Sequence, residues 1–226
     1  MSLPCDLLVL AAFPPELAPL RATLGDGLRR SFGGHDVAAE AVGIGLPNAA
    51  AGAALKLAAL RPRAVVLVGT CGVFGERLPL GSVAVAHRLV LAEPAVARGE
   101  GAYPEPMSTE VVADRALGDA LIAAGGGRGG ATRADMATTL AVTTNDALAA
   151  CLAAFTSCEI EHLEAYGVAA ACAALGVPFV AALGIANRVG SLGREQWRQN
   201  HRAASAAAID LLVGWIAAGA PGLAAR

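Results

Sequence analysis

The sequence predicts a single α/β domain: a mostly parallel β-sheet with helices packed on both faces. Three observations carry that expectation. Apolar runs of strand length (DLLVLAA, AVVLV, VPFVAALGI) are separated along the chain by stretches with helical spacing. The runs are continuous rather than alternating, as in strands covered on both faces. Finally, 226 residues with 55% hydrophobic content suffice for one sizeable core, and no break in composition or internal repeat divides residues 1–226.

The elements follow in order. Residues 6–12 read as the first strand, ended by Pro14 and Pro15, and residues 15–24 have helical spacing. Residues 37–45 are strand-like, and residues 48–60 form a helix with Asn48 as its cap. Two strands rich in Val and Leu come next, RPRAVVLVGTCG and SVAVAHRLVLAE. Residues 111–124 read as helix, the glycine-rich 125–133 as a loop, and 137–144 as a strand. Residues 163–175 then form a helix and 177–185 a buried strand. Residues 195–218 make one amphipathic helix carrying Trp197 and Trp215.

Composition narrows the function class. A net charge of -2 leaves no electrostatic footprint for nucleic acid or an anionic membrane. No stretch reaches the roughly 18 apolar residues of a membrane-spanning helix. The opening MSLPCDLLVLAAFPPE lacks a basic region and a cleavage site, so it reads as a buried strand rather than a signal peptide. Five cysteines without a C-x-x-C pair suit free thiols in a reducing cytoplasm. Four scattered histidines show no metal-ligand spacing, and no spacing implies a metal or an organic cofactor.

In a doubly wound sheet, ligands sit beyond the carboxyl ends of the strands. Four polar features collect on that rim: Glu16 after the first strand, the loop Gly69-Thr70-Cys71-Gly72, Glu164 at the head of a helix, and Asn187 after the last strand. Each has a plainer explanation. Glu16 and Glu164 complement helix dipoles, GTCG serves as an ordinary turn, and Asn187 serves as a cap.

At this point the sequence resembles a known family. The pieces VGIGLPNAAAGAAL, VVLVGTCGVFGERLPLGSVAVA and HLEAYGVAAACAALGVPFVAALGIAN are similar to those of the nucleoside phosphorylase/nucleosidase superfamily. The resemblance runs from Leu7 to about Trp197. It implies a three-layer α/β/α domain whose central sheet is mixed and partly barrel-like, rather than wholly parallel. It also implies a homo-oligomer that binds a purine nucleoside. By resemblance, Glu164 hydrogen-bonds the ribose hydroxyls, Leu163 binds substrate where most hydrolytic relatives have Met, and Thr70, Cys71 and Gly72 lie beside sugar and base. Asn187 contacts the purine N7, and Glu16 holds an attacking water.

Water is preferred to phosphate as the nucleophile. Bacterial phosphorylases of the family carry an arginine where this chain has Leu67, and Glu16 repels an anion. Arg188 and Arg194 leave room for one elsewhere, although solvated loop charges are the plainer reading. The amide of Asn187 suits the two acceptors of a 6-oxopurine, and IANRVGSLGREQW resembles a stretch of the futalosine hydrolases. Methylthioadenosine/adenosylhomocysteine nucleosidases, 6-oxopurine nucleoside phosphorylases and a non-catalytic nucleoside-binding relative stay open. Leu183 and Ala186 stand where hydrolytic relatives carry Arg and Ser, and Leu148 or Phe155 is the candidate for stacking on the base.

Overall fold

A computed structural model describes residues 4–126 and 130–224. Its elements are β1 (Leu7–Ala11), a 3-10 helix (Pro14–Leu20) running into α1 (Arg21–Leu24), β2 (Arg29–Phe32), β3 (His35–Ala41) and α2 (Leu46–Leu60). Then come β4 (Ala64–Val73), β5 (Val83–Leu91), α3 (Pro94–Ala97), β6 (Glu110–Val112) and α4 (Arg115–Ala124). The chain finishes with β7 (Ala131–Thr138), α5 (Asp146–Thr156), β8 (Ile160–His162), α6 (Ala165–Ala174), β9 (Phe179–Arg188) and α7 (Gly193–Ala217).

The strands form one mixed sheet in the order β2-β3-β1-β4-β8-β7-β5-β6, with β9 bridging β4 and β5. Its pairings return on themselves from β4 through β9, β5, β7 and β8 to β4, closing five strands into a barrel. The β9–β5 and β8–β4 pairs are antiparallel, whereas β1 runs parallel to β3 and β4. The expectation of a mostly parallel sheet therefore gives way to the mixed, barrel-like one implied by the resemblance.

Burial explains why the strand sequences lack alternation. Leu8, Leu10, Val65 and Leu67 pack with α2 and α6, while Leu7, Val9, Val66 and Val68 pack with α4 and α7. Both faces are apolar, so every residue of β1 is buried. Burying one such Leu or Val side chain stabilises the fold by about 1.5–3 kcal/mol.

Several boundaries differ from expectation. The helical spacing of residues 15–24 resolves into a 3-10 helix and one α-turn. Asn48 does not cap α2: Gly45 holds that position, and Asn48 Nδ2 donates back to the Ile44 carbonyl. The strand expected at 137–144 lies earlier, because Arg133 and Asp135 alternate with residues buried between them; the loop ends by Gly130, and residues 127–129 lie outside the described residues. Strands β2, β6 and β8 are too short to show a period, and α5 was hidden in an Ala-rich stretch with Asn145 as its cap. Strand β9 runs on to Arg188, so Asn187 belongs to the strand rather than following it.

Candidate active site

The Pro-Pro pair that ends β1 also starts the turn that holds Glu16. Phe13 is extended and caps the 3-10 helix, and the prolines occupy first-turn positions where a missing N–H costs nothing. Glu16, three residues past the cap, folds back so that Oε2 accepts from Phe13 N–H at 3.3 Å. Its Oε1 accepts from the Thr70 N–H at 3.2 Å and from the Thr70 hydroxyl at 3.3 Å. Residue 69 must be glycine for this: its φ is +150°, and a Cβ there would stand 2.9 Å from Glu16 Oε1. Burial, reinforced by the charge of Glu164, pushes the Glu16 carboxyl up to about 7, against the hydrogen bonds from Phe13 and Thr70.

Glu164 sits at the N-cap of α6, just past β8, and is 5% exposed. Its Oε1 accepts from the Gly45 N–H at 2.7 Å, which ties it to the turn before α2. Two residues earlier, His162 is equally buried, and its Nδ1 accepts from the backbone N–H groups of Glu164 and Ala165 at 3.2 and 3.0 Å. An atom that accepts twice carries no proton, so the ring is the neutral tautomer with hydrogen on Nε2. Burial also lowers the His162 pKa. The 3.3 Å approach of Nδ1 to Glu164 Oε2 is thus a polar contact rather than an ion pair.

The other predicted residues fall around these two carboxylates. Thr70 and Gly72 lie on β4, and Gly72 pairs with Asn187 on β9 and with Glu161 on β8. The Cys71 side chain turns into the core, with Sγ 3.6 Å from the Gly184 carbonyl, and burial pushes its thiol up. Leu163 is partly buried between His162 and Glu164. Asn187 Nδ2 donates to the Arg188 carbonyl at 2.9 Å. A carbonyl only accepts, so the amide nitrogen must face it, and Oδ1 is the end without that tie.

Arg188 turns away to Glu76 at 2.8 Å on the surface, and Arg194 is exposed, in keeping with solvated charges. Leu67, Leu183 and Ala186 are fully buried. Leu148 packs against a cluster containing Phe74, Leu152 and Val189, whereas Phe155 is 45% exposed on α5. Among the described residues, no group of His, Cys, Asp and Glu could hold a metal ion, and no helix is long and apolar enough to cross a membrane.

Three polar residues at this site escaped the sequence reading. His162 was visible only as a His two positions before Glu164. Glu161 is buried, and its carboxylate accepts from Thr143 N–H at 3.3 Å; burial raises its pKa. Trp197, on the first turns of α7, donates its indole N–H to Thr70 Oγ1 at 3.1 Å.

A sequence model of the phosphorylase superfamily matches residues 6–217. The chain belongs to the phosphorylase superfamily. Solved structures agree on the fold. A 5′-methylthioadenosine/S-adenosylhomocysteine nucleosidase from Neisseria meningitidis superposes with a TM-score of 0.83 at 18% identity, covering 94% of this chain and 98% of that one. A counterpart from Colwellia psychrerythraea, solved with adenine, gives 0.84 at 18% identity over 99% and 98%. A futalosine hydrolase mutant from Helicobacter pylori gives 0.80 at 15% identity over 95% and 98%. Comparison with curated protein sequences returns no match. This superfamily member thus shares its closed-barrel fold with those structures, and has a buried carboxylate, Glu164, and a partly buried one, Glu16, at one rim of its sheet.

Proposed function

We propose that this chain hydrolyses the N-ribosidic bond of a purine nucleoside, with Glu16 as the general base. The observation that supports the reading best is the partly buried Glu16 carboxyl, oriented by three donors and pushed up to about 7 beside Glu164. A base of that strength accepts a proton from water at neutral pH, yet repels a phosphate dianion. Glu164 accepts from the ribose hydroxyls through its carboxylate, with Gly45 N–H holding its orientation. Water adds to the ribosyl carbon as the bond to the base nitrogen breaks; its proton passes to Glu16, which later returns it to solvent, and the departing purine takes up a solvent proton at the Asn187 edge.

For the finer substrate, futalosine is the first candidate, on the likeness of IANRVGSLGREQW to the futalosine hydrolases. One observation favours a second reading, an adenine nucleoside such as methylthioadenosine. Asn187 spends an N–H on Arg188, leaving Oδ1 to accept from a protonated N7 or a 6-amino group.

The test is release of free base from futalosine, methylthioadenosine and inosine, with and without phosphate. Hypoxanthine from futalosine without phosphate supports the first reading, and adenine from methylthioadenosine the second. Strict dependence on phosphate overturns hydrolysis. Glu16→Gln is expected to lower kcat by about 10²–10⁴-fold while nucleoside binding persists.

A further inference from the structure

Helix α7 reaches the Glu16 carboxyl through a chain of two hydrogen bonds. The Trp197 indole N–H donates to Thr70 Oγ1 at 3.1 Å, and Thr70 Oγ1 lies 3.3 Å from Glu16 Oε1. An indole nitrogen only donates and an ionised carboxylate only accepts, so the direction of both bonds is determined. With a lone pair held by Trp197, the threonine hydrogen points at Glu16. The ring is itself held, since His201 stacks on it with centroids 4.4 Å apart and an interplanar angle of 16°, and His201 Nδ1 lies 2.9 Å from the Trp197 carbonyl.

We propose that Trp197 is a positioning residue for Glu16, setting the proton affinity of that carboxyl through the Thr70 hydroxyl. The inference rests on the reading of Glu16 as the base for its consequence in turnover, but the relay itself is a property of the unliganded protein. Chained hydrogen bonds polarise one another, so the indole donor makes the hydroxyl a better donor to the carboxylate. Loss of the indole N–H frees the hydroxyl to rotate, and the carboxylate loses stabilisation.

The other ionisable groups around Glu16 act differently. Glu164 acts on it directly by charge. His201 meets the Trp197 ring rather than the carboxyl. On β4 the Cys71 thiol faces Gly184; on β3 Glu40 is paired with Lys56, and on α1 Arg21 with Asp26. Arg194, Arg198 and Arg202 of α7 are exposed.

The experiment is titration of the Glu16 carboxyl by carbon-13 NMR on the full chain, the resonance being assigned by its loss in E16Q. W197F keeps the ring and removes the N–H. It is expected to raise the Glu16 midpoint by a few tenths of a unit to about half a unit, a fraction of what a whole hydrogen bond to a carboxylate carries, because the Thr70 bond itself remains. T70V is expected to raise it at least as far, and T70S to leave it near the parent value. Combining W197F with T70V is expected to add nothing. An unmoved midpoint in W197F overturns the proposal, and so does an equal W197F shift with and without the Thr70 hydroxyl, which would mean that the ring acts by burial. Turnover by E16Q tests the base separately: an active E16Q removes Glu16 as the base, while the titration still decides the relay. If both hold, the acid limb of kcat/KM moves upward in W197F by the same amount as the NMR midpoint.

Discussion

Glu16 is where the local chemistry is most tightly specified, and its pKa gives two expected outcomes of definite sign. With Glu16 as the proposed base, the carboxylate is the working form, so kcat/KM is expected to rise with pH through about 7, as measured in a pH–rate profile. For stability, the folded value of about 7 lies above the ordinary 4.5. Between those values the folded chain keeps a proton that the unfolded chain loses. The penalty is absent below 4.5, grows as pH rises, and is complete above 7. E16Q is therefore expected to melt above the parent at pH 8, with the gap closing by pH 5 in thermal unfolding. Gly69→Ala is expected to displace the Glu16 carboxylate, since its Cβ would stand 2.9 Å from Oε1. An ångström of displacement costs about a hundredfold in kcat/KM. The glutamates and the GTCG loop were legible because their residue types are chemically pointed, and so was Asn187. His162 and Trp197 were not, because a lone His or Trp beside apolar residues looks the same whether it fills a core or orients a carboxylate.

At the scale of elements, α7 does more than cover the sheet. Asn200 Nδ2 donates to the Ala186 carbonyl, and Gln196 Oε1 accepts from the Arg188 N–H. The same helix bonds the Glu16 carbonyl through Ser205 Oγ at 3.3 Å. One helix thus ties the 3-10 turn of Glu16 to the strand end that carries Asn187. On the opposite side, Asp146 in the first turn of α5 accepts from the N–H and the hydroxyl of Ser191, both at 2.8 Å, and anchors the loop after β9. Those bonds hold the Asp146 carboxyl below its ordinary value. Asn145 caps α5 by accepting from Leu148 N–H at 2.9 Å. Asn145→Ala is expected to cost about 1 kcal/mol in urea unfolding and to leave the pH–rate midpoint unmoved. The long strands were readable from their continuous apolar runs, and α7 from its helical spacing. Strands β2, β6 and β8 were not, because their pairing depends on partners far along the chain.

For the whole molecule, the decisive feature is closure of the barrel. Strand β9 lies between β4 and β5, and α7 packs back across it so closely that Gly184 meets the Ala204 carbonyl; a Cβ there would come within 1.9 Å of that oxygen. Gly184→Ala is expected to cost more than about 3 kcal/mol, because backbone rather than a movable side chain blocks it. The check is soluble yield and urea midpoint beside Gly214→Ala, a helical position with open space that is expected to be neutral or better. The small-residue composition serves this closeness: Ala and Gly let helices and strands approach where larger side chains would hold them apart.

The sequence by itself determined the class of fold and the chemical types at the site. Hydrophobic runs, helical spacing and polar residues at strand ends are local properties, written in consecutive residues. Only the tertiary structure decided that the sheet closes into a mixed barrel, and that Glu16 and Glu164 come close enough for one charge to act on the other. It also decided that the amide nitrogen of Asn187 is turned to Arg188 and that an indole stands behind Thr70. Those outcomes depend on hydrogen bonds and desolvation between residues distant in sequence, and no local pattern records which partners meet.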